Sequence, residues 1–163
     1  ERLLYHMTED GAYTAELMAA LSSGGRYEVS SELENKLGLF ASGYAEEDEV
    51  TETIAKLYAE SGYLADTHTS VAYSVYSKYK EASGDNTPCL IASTASPYKF
   101  VAAVSGAIGL KKESDDFKQI KALNEFTKIA VPAGLKELDK REIIHTQVIN
   151  KEEMKDKIRD EFK

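Results

Sequence analysis

The stretch Pro88-Cys89-Leu90-Ile91-Ala92-Ser93-Thr94-Ala95-Ser96-Pro97-Tyr98-Lys99-Phe100 constrains the fold of this chain more than any other. Cys89 to Ala92 is a short apolar run of the kind that fills a buried strand in a parallel sheet. It passes into the hydroxyl cluster Ser93-Thr94-Ala95-Ser96, after which Pro97 stands where a helix would take its first residue. Ser96 suits the capping position, and Phe100, Val101, Val104, Ala107 and Ile108 recur at helical spacing on one face. The order predicted is strand, hydroxyl-rich turn, helix. In open α/β sheets ligands bind beyond the carboxyl ends of strands, so Ser93 to Ser96 is a candidate ligand edge. The same hydroxyls also serve a helix cap without any ligand, and on these residues alone both readings stand.

The flanking segments read as helices. Leu3, Leu4 and Met7 form one apolar edge, and Leu17, Met18 and Leu21 another, closed by Ser22-Ser23-Gly24-Gly25. Ser30 or Ser31 caps a helix bearing Leu33, Leu37 and Phe40. The acidic run Glu46 to Glu49 opens a helix carrying Val50, Ile54, Leu57 and Tyr58. Asp66 or Thr67 caps the next, which places His68 in its first turn and runs through Val71, Val75 and Tyr79 to Gly84. Phe117, Ile120, Leu123 and Phe126 mark a further helix. Ile143 to Ile149 alternates as a strand would, and Asn150 caps a terminal helix with Met154, Ile158 and Phe162 facing inward. The expectation is an α/β class, one domain over residues 1–163, with a short parallel sheet flanked by more numerous helices.

Composition narrows the function classes. A net charge of −8 argues against nonspecific nucleic-acid binding, because phosphates are repelled. No apolar run approaches the roughly 20 residues that span a bilayer, and no signal-peptide pattern opens the sequence, so a cytoplasmic protein with no membrane partner is expected. The single Cys89 excludes an internal disulfide and reads as a buried structural thiol. His6, His68 and His145 are far apart, and no HExxH, cysteine pair, GxGxxG or Walker loop is present, so neither a metal nor a nucleotide cradle is expected. The start at Glu1, without a capping residue, reads as the inside of a helix and suggests part of a larger protein.

Two pieces carry a family resemblance: Gly62-Tyr63-Leu64-Ala65-Asp66-Thr67-His68-Thr69-Ser70-Val71-Ala72-Tyr73, and Ala92 to Phe100. In this order they resemble the C-terminal part of threonine synthase, a pyridoxal-phosphate enzyme of the tryptophan-synthase-β type (fold type II). Glu1 to His6, Arg26 to Val29 and Lys151 to Met154 also look like family segments. The resemblance implies a carbon–oxygen lyase that converts O-phospho-L-homoserine and water to L-threonine and phosphate in threonine biosynthesis. It implies that Thr94, with Ser93 beside it, lies by the pyridine nitrogen of pyridoxal 5′-phosphate, and that Asp66, His68 and Thr69 line or brace the same pocket. A neutral hydroxyl at that nitrogen moderates the electron sink that a carboxylate would strengthen.

The sequence departs from the family at Thr67 and at Val101, where proline is usual. The family's cofactor-binding lysine and Gly/Asn-rich phosphate loop find no counterpart here, and Phe117-Lys118 reads as surface helix. The expectation is therefore a C-terminal fragment with no catalytic residue of its own and no activity alone. The rival readings are a stand-alone α/β module binding a small anion at Ser93 to Ser96, and an acidic helical interaction domain without catalysis. The oligomeric state is not encoded in any motif.

Overall fold

A computed structural model of the chain describes residues 1–162. Its helices are α1 (Arg2–Thr8), α2 (Gly11–Gly24), α3 (Ser31–Leu37), α4 (Glu47–Ser61), α5 (Thr67–Ser83), α6 (Val101–Ala107), α7 (Asp116–Thr127) and α8 (Met154–Glu161). A 3-10 turn, Pro97–Phe100, leads into α6, and shorter ones occupy Leu138–Lys140 and Lys151–Glu153.

Local chemistry sets most of these boundaries. Asp10 accepts from the Tyr13 N–H at 2.9 Å to start α2, and Ser30 accepts from the Leu33 N–H at 3.3 Å to start α3. At α4 the Glu46 N–H donates to Glu49 Oε2 at 2.8 Å in a reciprocal cap, and Glu47, Asp48 and Glu49 place negative charge at the positive end of the helix dipole. Gly62 ends the same helix at φ 71°, a left-handed conformation that costs glycine no Cβ clash.

Two apolar clusters form. Leu4, Leu17 and Leu33 meet where α1 packs on α2 and α3. The larger cluster gathers Val50 and Ile54 from α4, Leu64 from the link between α4 and α5, Tyr98 from the 3-10 turn, Val101 and Val104 from α6, and Leu123 from α7. Burying each such aliphatic side chain is worth about 1.5–3 kcal/mol, so this cluster fixes α4, α6 and α7 around the hydroxyl-rich turn. α5 lies along α4 and completes the scaffold.

The expected sheet is not found. None of the described residues forms a strand, and residues 88–95 are irregular, with a bend at Ala95 and no backbone hydrogen bond to any described residue. Cys89 is exposed rather than buried, and Leu90 is 100% exposed. A strand is stabilised by pairing with neighbours, and no other described segment lies alongside this one to pair with it. Ile143 to Ile149 is likewise irregular and exposed, with Val148 at 96%. Met154, Ile158 and Phe162 face solvent rather than a core. Their spacing places them on one face of α8 but supplies nothing to cover that face.

Candidate functional site: a hydroxyl row backed by a buried carboxylate

Leu64 and Ala65, both buried, carry the chain from the Gly62 turn into the N-cap of α5 and deliver Asp66 to the interior at 1% exposure. Asp66 Oδ1 accepts the backbone N–H of His68 at 2.9 Å and that of Thr69 at 3.3 Å. Oδ2 accepts the Thr69 hydroxyl in a short contact, and Ser70 Oγ donates to the Asp66 carbonyl at 2.9 Å. A carboxylate is retained in a protein interior only with such donors around it, and the positive end of α5 adds to them.

Thr69 continues the chain of contacts outward. Its hydroxyl oxygen lies 3.1 Å from Ser93 Oγ, joining the start of α5 to the hydroxyl turn across 24 positions. Thr94 follows Ser93 on the exposed side, and its hydroxyl makes no hydrogen bond among the described residues. Ser96 is turned inward as a cap, accepting from the Tyr98 N–H at 3.3 Å. Asp66, Thr69 and Ser93 are thus brought into one hydrogen-bonded line, with Thr94 beside its outer end.

His68 departs from that line. Its ring stands edge-on to Phe100, with centroids 4.9 Å apart at 85°, and faces an open groove of roughly 1000 Å³ between α5 and residues 41–49. Tyr44, Val75, Tyr76 and Tyr79 line the groove. Lys78 pairs with Glu49 at 2.5 Å, donates to the Tyr44 carbonyl at 3.1 Å and stands 5.8 Å from the Tyr44 ring centroid. The Lys78 hydrogen bond, with help from the Glu46 N–H, holds the Glu49 carboxyl below the usual range. No sequence signal links Lys78 to Glu49 or Tyr44, because their meeting depends on how α5 crosses α4.

The hydroxyls of Ser93 and Thr94 are uncharged and on the exposed side of the chain. Lys99, the nearest cation in sequence, is exposed with Nζ 5.5 Å from the Phe100 ring centroid. Lys118 is spent on Asp115 at 3.4 Å and Ser114 at 2.9 Å on the surface of α7. Among the described residues no three His, Cys, Asp or Glu side chains gather as metal ligands, and no helix is long and apolar enough to cross a membrane.

The fold recurs in solved structures. It superposes on PLP-bound threonine synthase from Brucella melitensis with a TM-score of 0.61 and 26% identity, covering 86% of this chain and 26% of that one. With the threonine synthase of yeast the TM-score is 0.62 over 86% of this chain and 29% of that one, a likeness of fold at 24% identity. The helices described here are therefore arranged as in a portion of that PLP-bound threonine synthase. In sequence, the chain is 33% identical over 114 residues to threonine synthase-like 1 of Pongo abelii, and 32% identical over 109 residues to threonine synthase of Pseudomonas aeruginosa. Those matches cover 69% and 66% of this chain but span only 15% and 23% of the relatives. The family model described as threonine synthase, C-terminal, matches residues 69–158, more than half of the chain, and the chain belongs to that family.

Proposed function

We propose that this chain is the C-terminal part of a threonine synthase that converts O-phospho-L-homoserine and water to L-threonine and phosphate. Its contribution is the hydroxyl edge of the cofactor site at Ser93 and Thr94. The observation that carries this reading is the line from Asp66 through Thr69 to Ser93, which holds the two family-like pieces of sequence against each other.

Pyridoxal phosphate, when bound, supplies the electron sink for such a reaction. The residues here do the rest of what this portion can do. Thr94 offers a neutral hydroxyl to the ring nitrogen and so does not hold a proton there as a carboxylate would. Asp66 fixes the start of α5, Thr69 fixes Ser93, and the Ser96 cap sets the path of the backbone out of the turn. His68 lies on the groove side, where its ring packs on Phe100 and shapes the approach to the turn.

The test is Thr94→Val in the complete protein that carries this chain, with phosphate release from O-phospho-L-homoserine as the assay. A neutral hydrogen bond is worth roughly 0.5–1.5 kcal/mol, and an unpaired buried partner costs about 1–3 kcal/mol, so turnover is expected to fall about tenfold or more. Thr94→Ser is expected to retain most activity. Full activity in the valine variant, or equal losses in both, overturns the assignment of Thr94.

A further inference from the structure

We propose that the cleft between α7 and the turns that follow it binds an apolar α-amino acid as its zwitterion, with Lys136 taking the carboxylate and Asp139 the ammonium group. The site is independent of the hydroxyl turn, since neither Ser93 nor Thr94 lines it.

The walls are built from α7 and the chain beyond it. Phe117 and Ile120 are three positions apart on α7 and so share a face. With Val131 and Leu135 they line a cleft of about 630 Å³. Ile120, Val131 and Leu135 also pack against the larger apolar cluster, so these walls are anchored in the core. Backbone hydrogen bonds set the remainder. The Pro132 carbonyl accepts the Leu135 N–H at 2.9 Å and the Lys136 N–H at 3.0 Å, and the Lys140 N–H donates to the Glu137 carbonyl at 3.0 Å. A preformed, mostly apolar cavity with a few polar groups is the ordinary form of a small-molecule site.

The charges select the ligand. Lys121, Lys136, Glu137, Asp139 and Lys140 also line the cleft. Lys140 is matched by Glu137 at 3.2 Å, and Lys121 by Glu125 at 3.9 Å. Among the described residues the Lys136 ammonium group and the Asp139 carboxylate form no ion pair and no hydrogen bond, with each other or with any other group. One cation and one anion therefore remain uncommitted. A multiply charged anion finds one free cation here and meets the Asp139 carboxylate besides, and a polyamine meets the reverse. A molecule with one charge of each sign and an apolar body satisfies both groups and covers Phe117, which is 41% exposed. Exposed ion pairs contribute little by themselves, so apolar contact supplies most of the affinity and the two charges supply the selectivity.

The probes are L-phenylalanine, 3-phenylpropionate, which lacks the ammonium group, and 2-phenylethylamine, which lacks the carboxylate. Each is titrated at millimolar concentration into the 163-residue chain labelled with nitrogen-15. L-phenylalanine is expected to shift the Phe117, Ile120, Lys136 and Asp139 amides with a dissociation constant in the roughly millimolar range, and to leave Ser93 and Thr94 in place. Each analogue is expected to bind about fivefold more weakly, the upper end for the loss of one exposed ion pair. Lys136→Met is expected to bring L-phenylalanine level with 2-phenylethylamine, and Asp139→Asn to bring it level with 3-phenylpropionate. Both side chains are exposed, so amides outside the cleft are expected to stay in place in the variants, which checks their folding. Equal affinity for all the probes, tighter binding of either analogue than of L-phenylalanine, variants that bind L-phenylalanine as the wild type does, or no shift at the cleft with any probe overturns the proposal.

Discussion

The Tyr98 hydroxyl donates to the Ile129 carbonyl oxygen at 2.5 Å, joining residues 31 positions apart. The same carbonyl accepts from Asn124 Nδ2 at 2.6 Å, so the exit from α7 is tied to the turn that follows the hydroxyl row. Tyr98→Phe leaves the carbonyl paired to Asn124 and is expected to cost about 0.5–1.5 kcal/mol. Tyr98→Ala also empties a site that is 2% exposed and is expected to cost about 3–5 kcal/mol. Urea unfolding of the two variants checks the order, and equal losses would show that the hydrogen bond carries most of the effect.

Ser105 Oγ on α6 is buried and finds no hydrogen-bond partner among the described residues. Ser105→Ala removes an unpaired hydroxyl and adds a better helix former, so stability is expected to hold or rise by up to about 1 kcal/mol. A fall of that size in thermal unfolding would reveal a partner for the hydroxyl.

Gly43 passes so close to α5 that an added Cβ would stand 2.9 Å from Val75 Cγ1. Valine is stiff at χ1, so the clash cannot be relieved by a rotamer change at low cost. Gly43→Ala is expected to cost about 1–3 kcal/mol, and Gly43→Ala with Val75→Ala to cost less than the sum of the two. Strict additivity in the cycle would refute the contact.

Lys78 holds Glu49 below the ordinary glutamate range, so the folded chain binds fewer protons at this site than the unfolded one does. The resulting contribution to stability is present above the unfolded value and is lost as pH falls through the folded value. Lys78→Met is expected to move the Glu49 titration upward, read by carbon-13 NMR of the carboxyl group. An unmoved titration would assign the shift to the Glu46 N–H alone.

The chain by itself is expected to hold no pyridoxal phosphate through a lysine. After incubation and desalting, its visible spectrum is expected to carry no retained band, and no phosphate is expected from O-phospho-L-homoserine. A band that persists and disappears on replacing one particular lysine would contradict the proposed division of the site.

What was legible in the sequence was local. Asp66 and Ser96 act on backbone groups within a few residues, and the structure places each at the helix start its position predicts, while Asn150 caps the 3-10 turn Lys151–Glu153 that leads into α8. The pairing of Ser93 with Thr69 was not legible, because it depends on how α5 and the turn are packed rather than on spacing. Cys89 and Phe162 show the opposite failure. An apolar residue in the right pattern reads as buried, yet burial needs a covering surface, and both residues are exposed among the described residues.

Residues 88–95 are irregular, with their backbone amide and carbonyl groups unpaired among the described residues, and such groups are open to pairing with another chain. Such a segment is a template for an extended one, a second molecule of the same chain included. Leu90, fully exposed, adds apolar contact to that template, and Pro88, which has no N–H to give, blunts one end of it. A charge placed at Leu90 is therefore expected to raise solubility while leaving the packing of α4, α6 and α7 untouched.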